Sequence, residues 1–117
     1  MFKNIPVYIE PEIWGKQYWF VIETIVISMD PSELNSKEFI YLFFYSLQNI
    51  LPCPICREHY QSFFQKHDIK KSMDSKLSLF RWIHNLRNEI NTHNKKKIIS
   101  FSEYHEYLES TYSKFQI

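Results

Sequence analysis

One glycine in 117 residues, Gly15, is the strongest constraint on how this chain folds. Tight turns, β-bulges and phosphate-cradling loops use positive φ, which glycine supplies most readily. With a single glycine the chain has neither a GxGxxG nor a Walker-type loop. What it has is apolar residues at helical spacing. Trp14, Tyr18, Trp19, Ile22, Ile25, Val26 and Met29 mark one broad face over residues 11–29, with Pro11 at a first-turn position and Glu12 beside it. Asp30-Pro31-Ser32 breaks that helix. Asn35 followed by Glu38 reads as a capping box for a second helix, which carries Ile40, Phe43, Phe44, Leu47 and Ile50 and ends at Pro52. A third helix begins at Cys53, tolerates Pro54 in its first turn, and runs to Lys66. Residues 67–74 read as a polar connection. A fourth helix spans 75–94 on Leu79, Ile83, Leu86 and Ile90, and Ser100 with Glu103 is a second capping box that opens a fifth. Only residues 5–9 and 97–100 look extended. The expected fold is all-α, an antiparallel helical bundle.

The length suits one domain, 1–117. Aromatics at 18% suggest flat apolar surfaces fit for a planar ligand or a partner. A net charge of +1 gives no strong field for nucleic acid or an anionic membrane. MFKNIPVYIEPEIW lacks the apolar core of a secretory signal. The longest apolar stretch, Trp19–Met29, is too short to span a bilayer and contains Glu23. The expectation is a soluble protein that is not secreted.

The chemistry concentrates in LPCPICREH, residues 51–59, which holds the chain's two cysteines. A single pair without an export signal argues for a metal or redox role rather than a disulfide scaffold. Structural zinc is one reading, with Cys53, Cys56 and His59 on one helical face and a fourth ligand from His84 or His93. A thioredoxin-like site is another, but it needs strands this chain does not offer. The third is a helical dithiol/disulfide site. Cys53 at the helix N-cap and Cys56 in the first turn meet the positive end of the helix dipole, which favours thiolate. Two thiols one turn apart can close a disulfide and exchange it with a substrate dithiol. The electrons must then pass to a two-electron carrier stacked on the aromatic helices, and a flavin suits that role.

WGKQYW (14–19), LPCPICREHY (51–60) and WIHNLRNEINTHNKKK (82–97), in this order and spacing, resemble the three signatures of the Erv/ALR FAD-linked sulfhydryl oxidases. The resemblance is to the compact single-domain versions of large cytoplasmic DNA viruses, and KKIISFSEY (96–104) fits the same group. It covers residues 11–108. It implies a four-helix bundle with a short fifth helix, usually a homodimer, that binds FAD. It further implies that FAD-dependent oxidation turns protein dithiols into disulfides and oxygen into hydrogen peroxide. By the same resemblance Cys53 is the interchange cysteine that meets the substrate, and Cys56 is the flavin-proximal one. Trp14 and Trp19 wall the flavin, His59 is on the cofactor side, and Asn88 and Asn91 match the asparagines of HNxVN, with Ile90 in place of its valine. Lys96 and Lys97 lie near the cofactor phosphates.

Two positions depart from the pattern. Glu23 and Arg87 stand where the family commonly has histidines that neighbour the flavin or adenine; their opposite charges make them candidates to pair. With no shuttle CxxC, electrons must arrive directly from a partner dithiol, such as a small thioredoxin- or glutaredoxin-like carrier. If the chain is viral, the resemblance implies a place in the host cytoplasm or the virion.

Several residues also have plain structural readings. Trp82 is expected in the core and His67 and His105 at the surface. Tyr104, Tyr107 and Phe101 suit either adenine contact or core packing, and His84 suits either cofactor contact or a satisfied buried site. A helical zinc module and an interaction module that kept the fold without flavin stand as alternatives to the oxidase.

Overall fold

A computed structural model describes residues 2–115. Five α-helices follow in order: α1 Pro11–Ser28, α2 Leu34–Ile50, α3 Pro54–Lys66, α4 Lys76–His93 and α5 Phe101–Tyr112. There is no strand among the described residues. The two short segments that look extended in sequence are coil, without strand pairing, before α1 and α5.

Caps set most boundaries. Pro11 starts α1 where its missing N–H costs nothing. Ser75 caps α4 by accepting the Ser78 N–H at 3.0 Å. Ser100 and Glu103 form the expected capping box of α5. The start of α2 differs from expectation. Its N-cap is Glu33, whose carboxylate accepts the N–H groups of Asn35 at 3.2 Å and Ser36 at 2.8 Å, so Asn35 is already inside the helix. Those N–H groups hold the Glu33 carboxyl below the usual carboxylate range.

Ile22, Val26, Ile40, Phe44, Phe63, Leu79, Ile83, Leu86 and Leu108 form the core between the helices. Trp82 belongs to it, as expected, and its indole N–H donates to the His67 carbonyl at 2.9 Å. The polar connection after α3 does more than connect. It contains a 3-10 turn, Ile69–Ser72, and Ile69 and Met73 beside it are fully buried. A polar average hid two apolar anchors four residues apart.

Polar ties fix the helices around the cysteine motif. Tyr60 donates to the Phe44 carbonyl at 2.6 Å, Gln61 to the Gln48 carbonyl at 2.9 Å, and Arg57 to the Leu51 carbonyl. Each bond runs from α3 to α2 or its end, so the first turn of α3 is held as a rigid part of the bundle.

Candidate active site

Cys53 adopts an extended backbone because a proline follows it, and this makes it the N-cap of α3. Its sulfur accepts the Cys56 N–H at 3.3 Å, a capping bond that seats both thiols at one helix end. Both cysteines are free. Their environments differ: Cys53 is 2% exposed and Cys56 is half-buried. Dipole reasoning alone predicts an acidic Cys56. Instead burial, then the Cys53 sulfur beside it, pushes the Cys56 thiol up to about 12. In the dithiol state the pair keeps a proton on Cys56.

Cys56 opens on a cavity of about 510 Å³ between α1, α3 and α4. Trp14, Tyr18, Trp19, Ile22 and Leu86 line it with aromatic and aliphatic surface. His59 and His93 stack there with ring centroids 3.8 Å apart. Lys16, Arg87 and Lys96 bring positive charge to the same cavity. An apolar slot with a thiol in its wall and cations at its rim fits a flat redox ring carrying anionic phosphates.

The cavity brings together Trp14, Trp19, Cys56, His59, Arg87, Ile90, Asn91 and Lys96. Cys53 does not line it, and neither do four of the expected cofactor-side residues. Glu23 is fully buried behind Arg87, and Tyr104 is fully buried behind both. Asn88 pairs with the backbone of Ile99, donating to its carbonyl at 2.9 Å and accepting its N–H at 3.2 Å. That bond fixes the segment carrying Lys96 against α4. Lys97 is exposed, one residue beyond the cation that reaches the cavity.

Tyr18, Lys16, Leu86, His93 and Asn94 line the cavity without having been singled out for it. Helical spacing holds the signal. Tyr18 lies one turn after Trp14, and Leu86 and Asn94 lie one turn from Ile90 on the same face.

The N-terminal segment is tied beside the motif. Ile9 donates its N–H to the Pro52 carbonyl at 2.9 Å, and the Trp14 indole donates to the Ile9 carbonyl at 2.7 Å. Partial desolvation, followed by the neighbouring Cys53 and Cys56, raises the Tyr8 phenol.

The zinc reading meets a geometric obstacle. Among the described residues no group of three His, Cys, Asp or Glu side chains converges as a metal site requires. His84 bonds the Ile99 carbonyl at 2.7 Å, and His93 is stacked on His59.

The signature of the Erv1 / Alr family matches residues 16–110. The chain belongs to the Erv1 / Alr family. Among its relatives is a protein of Acanthamoeba polyphaga mimivirus named as a probable FAD-linked sulfhydryl oxidase. It is 28% identical over 104 residues, covering 86% of this chain and 72% of the relative. The FAD-linked sulfhydryl oxidase of an African swine fever virus isolate is 30% identical over 93 residues, covering 78% and 76%. The family's helical architecture agrees with the fold described above. No helix among the described residues is long and apolar enough to cross a membrane.

Proposed function

We propose that the chain, as one domain, is a FAD-dependent thiol oxidase that turns protein dithiols into disulfides. The observation that carries this reading is the placement of Cys56 in the wall of the aromatic, cation-rimmed cavity, with Cys53 one helical turn away. The names of its relatives support the same activity.

The reaction begins with Cys53 and Cys56 joined as a disulfide. A substrate thiolate attacks Cys53, the S–S bond breaks, and Cys56 leaves as a thiol by taking up a proton. The substrate's second thiol then displaces Cys53, leaving an oxidised substrate and a reduced enzyme pair. Two electrons and two protons have moved from substrate to enzyme. FAD held in the cavity beside Cys56 would supply a two-electron acceptor for the enzyme dithiol, with oxygen as the final acceptor and hydrogen peroxide as the product.

The protein's own contribution is positional. The first turn of α3 keeps both sulfurs within exchange distance. Cys56, with its raised thiol, is a reluctant leaving group but a strong nucleophile once ionised. Trp14, Trp19 and Ile22 exclude water from the cavity floor, and Lys96 and Lys16 supply charge for the phosphates where no glycine loop exists.

The reading includes a small thioredoxin- or glutaredoxin-like carrier as thiol partner, because the chain has no second cysteine pair to act as relay. It includes a homodimer, supported by the exposed apolar side chains of Phe20 on α1 and Phe39 and Leu42 on α2. The viral origin of the relatives supports the host cytoplasm or the virion as its location.

The test is the visible spectrum of the protein after incubation with FAD. Flavin bands that bleach with dithiol under nitrogen and return with air, with peroxide formed, support the oxidase. A protein that retains no FAD through gel filtration sinks it.

A further inference from the structure

The fully buried carboxylate of Glu23 lies at the back of the cavity wall, and its charge is offset from one direction only. Oε2 accepts the Arg87 guanidinium at 2.7 Å and the Tyr104 hydroxyl at 2.5 Å. Oε1 has no partner among the described residues. A desolvated carboxylate arranged this way is tolerable only while its cation stays. Tyr104, itself buried, spends its only O–H on the same oxygen. The cost of breaking this arrangement fixes Arg87 in one place.

Arg87 is where the triad meets the cavity. Its guanidinium lies 4.9 Å from the Trp19 ring centroid and 5.5 Å from that of Tyr104, and its side chain is 24% exposed. Its hydrogen bonds among the described residues use only Nη1, so further N–H donors remain for a ligand. The depth of the cation decides which part of a ligand it meets. Lys16 and Lys96 are exposed at the rim, where strongly hydrated phosphates can sit. Arg87 lies among Trp19, Ile22 and Leu86, the surface that suits a ring.

Charge develops on that ring in the proposed reaction. As the Cys53–Cys56 bond closes, the dithiol loses two electrons and two protons. With both electrons and one proton on the ring, the cofactor gains one negative charge, and the second proton goes to solvent. We propose that Arg87, positioned by Glu23 and Tyr104, recognises this negative charge and binds the reduced cofactor more tightly than the oxidised one. The inference rests on FAD occupying this cavity.

The test compares wild type with the double variant Glu23→Gln/Arg87→Met, which removes both charges and leaves Tyr104 an acceptor. FAD affinity is read by titration, and the midpoint potential by equilibration with a reference dye. The expected result is at least a tenfold greater loss of affinity for reduced than for oxidised FAD. For a two-electron couple this lowers the midpoint potential by about 30 mV or more. Equal weakening of both forms, with the potential unmoved, overturns the proposal and makes Arg87 a phosphate ligand or a purely structural residue. Wild type that binds no FAD overturns the oxidase reading itself, and this inference with it. If circular dichroism shows the double variant unfolded, Glu23→Gln alone keeps an acceptor for Arg87 and Tyr104 but removes the charge that opposes Arg87. A raised potential in Glu23→Gln then supports the proposal and an unchanged one overturns it.

Discussion

The Cys53 sulfur accepts the Cys56 N–H at 3.3 Å, so the first turn of α3 is capped by the same atom that must be attacked by substrate. A structural bond and a redox bond share one sulfur. Replacing Cys53 by Ser keeps a hydroxyl N-cap and should retain the fold, whereas Cys53→Ala should lose about 1 kcal/mol of stability. Both should abolish turnover of a protein dithiol. Urea denaturation alongside oxygen consumption separates the two roles. Equal stability of Cys53→Ser and Cys53→Ala would show that the cap contributes nothing.

The raised Cys56 thiol sets a pH dependence with a defined sign. In the unfolded chain the thiol ionises near its ordinary value of 9.0, and in the folded dithiol form near 12. Between these values the folded state holds a proton that the unfolded state has lost. The contribution is therefore fully present below pH 9 and lost as pH rises towards 12. Thiolate absorbance in the ultraviolet should show that the reduced wild type has one late ionisation which Cys56→Ser lacks. Two ionisations below pH 9 in the reduced wild type would rule this out.

Cys53 is 2% exposed, yet the proposed exchange begins there. The Ile9–Pro52 bond ties the N-terminal segment beside it. Ile9→Pro removes that donor. A hydrogen bond of net strength about 0.5–1.5 kcal/mol corresponds to an opening roughly 2–10-fold more frequent. Alkylation of Cys53 in the reduced Cys56→Ser background should accelerate by that factor, read by mass spectrometry. An unchanged rate would mean the segment does not gate Cys53.

How far the sequence reveals this site depends on whether each residue acts through local spacing or through long-range burial. The cysteine turn, the Ser100 box and the helix spans rest on neighbours in sequence, and local chemistry predicts them. Trp14, Trp19 and Ile90 fall on periodic faces, and all three line the cavity. The acidity of Cys56 is misjudged because the dipole is local but the burial that outweighs it comes from the fold. Glu33 displaces Asn35 as a cap because a carboxylate two residues earlier reaches two N–H groups at once. The pairing of Glu23 with Arg87 is suggested by charge alone. Its third member, Tyr104, lies 81 residues from Glu23, and no local pattern joins them.

Asn88 joins α4 to the segment before α5 through both hydrogen bonds to Ile99. Asn88→Ala strips that backbone of a donor and an acceptor in a half-buried setting. Stability should fall by about 1–3 kcal/mol, and FAD affinity should fall with it because the Lys96 segment loosens. Urea denaturation of the FAD-free protein and FAD titration measure the two effects. Lost affinity with unchanged stability would indicate that Asn88 contacts the cofactor directly.

Lys95 follows the C-cap of α4 with φ 56°, the left-handed conformation that glycine usually takes at a helix end. The turn is closed by the Lys95 N–H on the Thr92 carbonyl at 3.2 Å and the Lys96 N–H on the Asn91 carbonyl at 2.7 Å. This geometry brings Lys96 to the cavity, while Lys95 does not line it. The Lys95 side chain therefore adds strain to a turn whose shape matters only for its neighbour. Lys95→Gly relieves the Cβ clash and should stabilise the protein by about 0.5–1 kcal/mol, raising the melting temperature by roughly 2–4 °C. FAD affinity should not change, because Lys96 keeps its place. Lys95→Val should do the opposite, since a β-branched residue is strained further in this region. Thermal melts of the three proteins decide the matter: a glycine variant that melts below wild type would show that the Lys95 side chain contributes more than its strain costs.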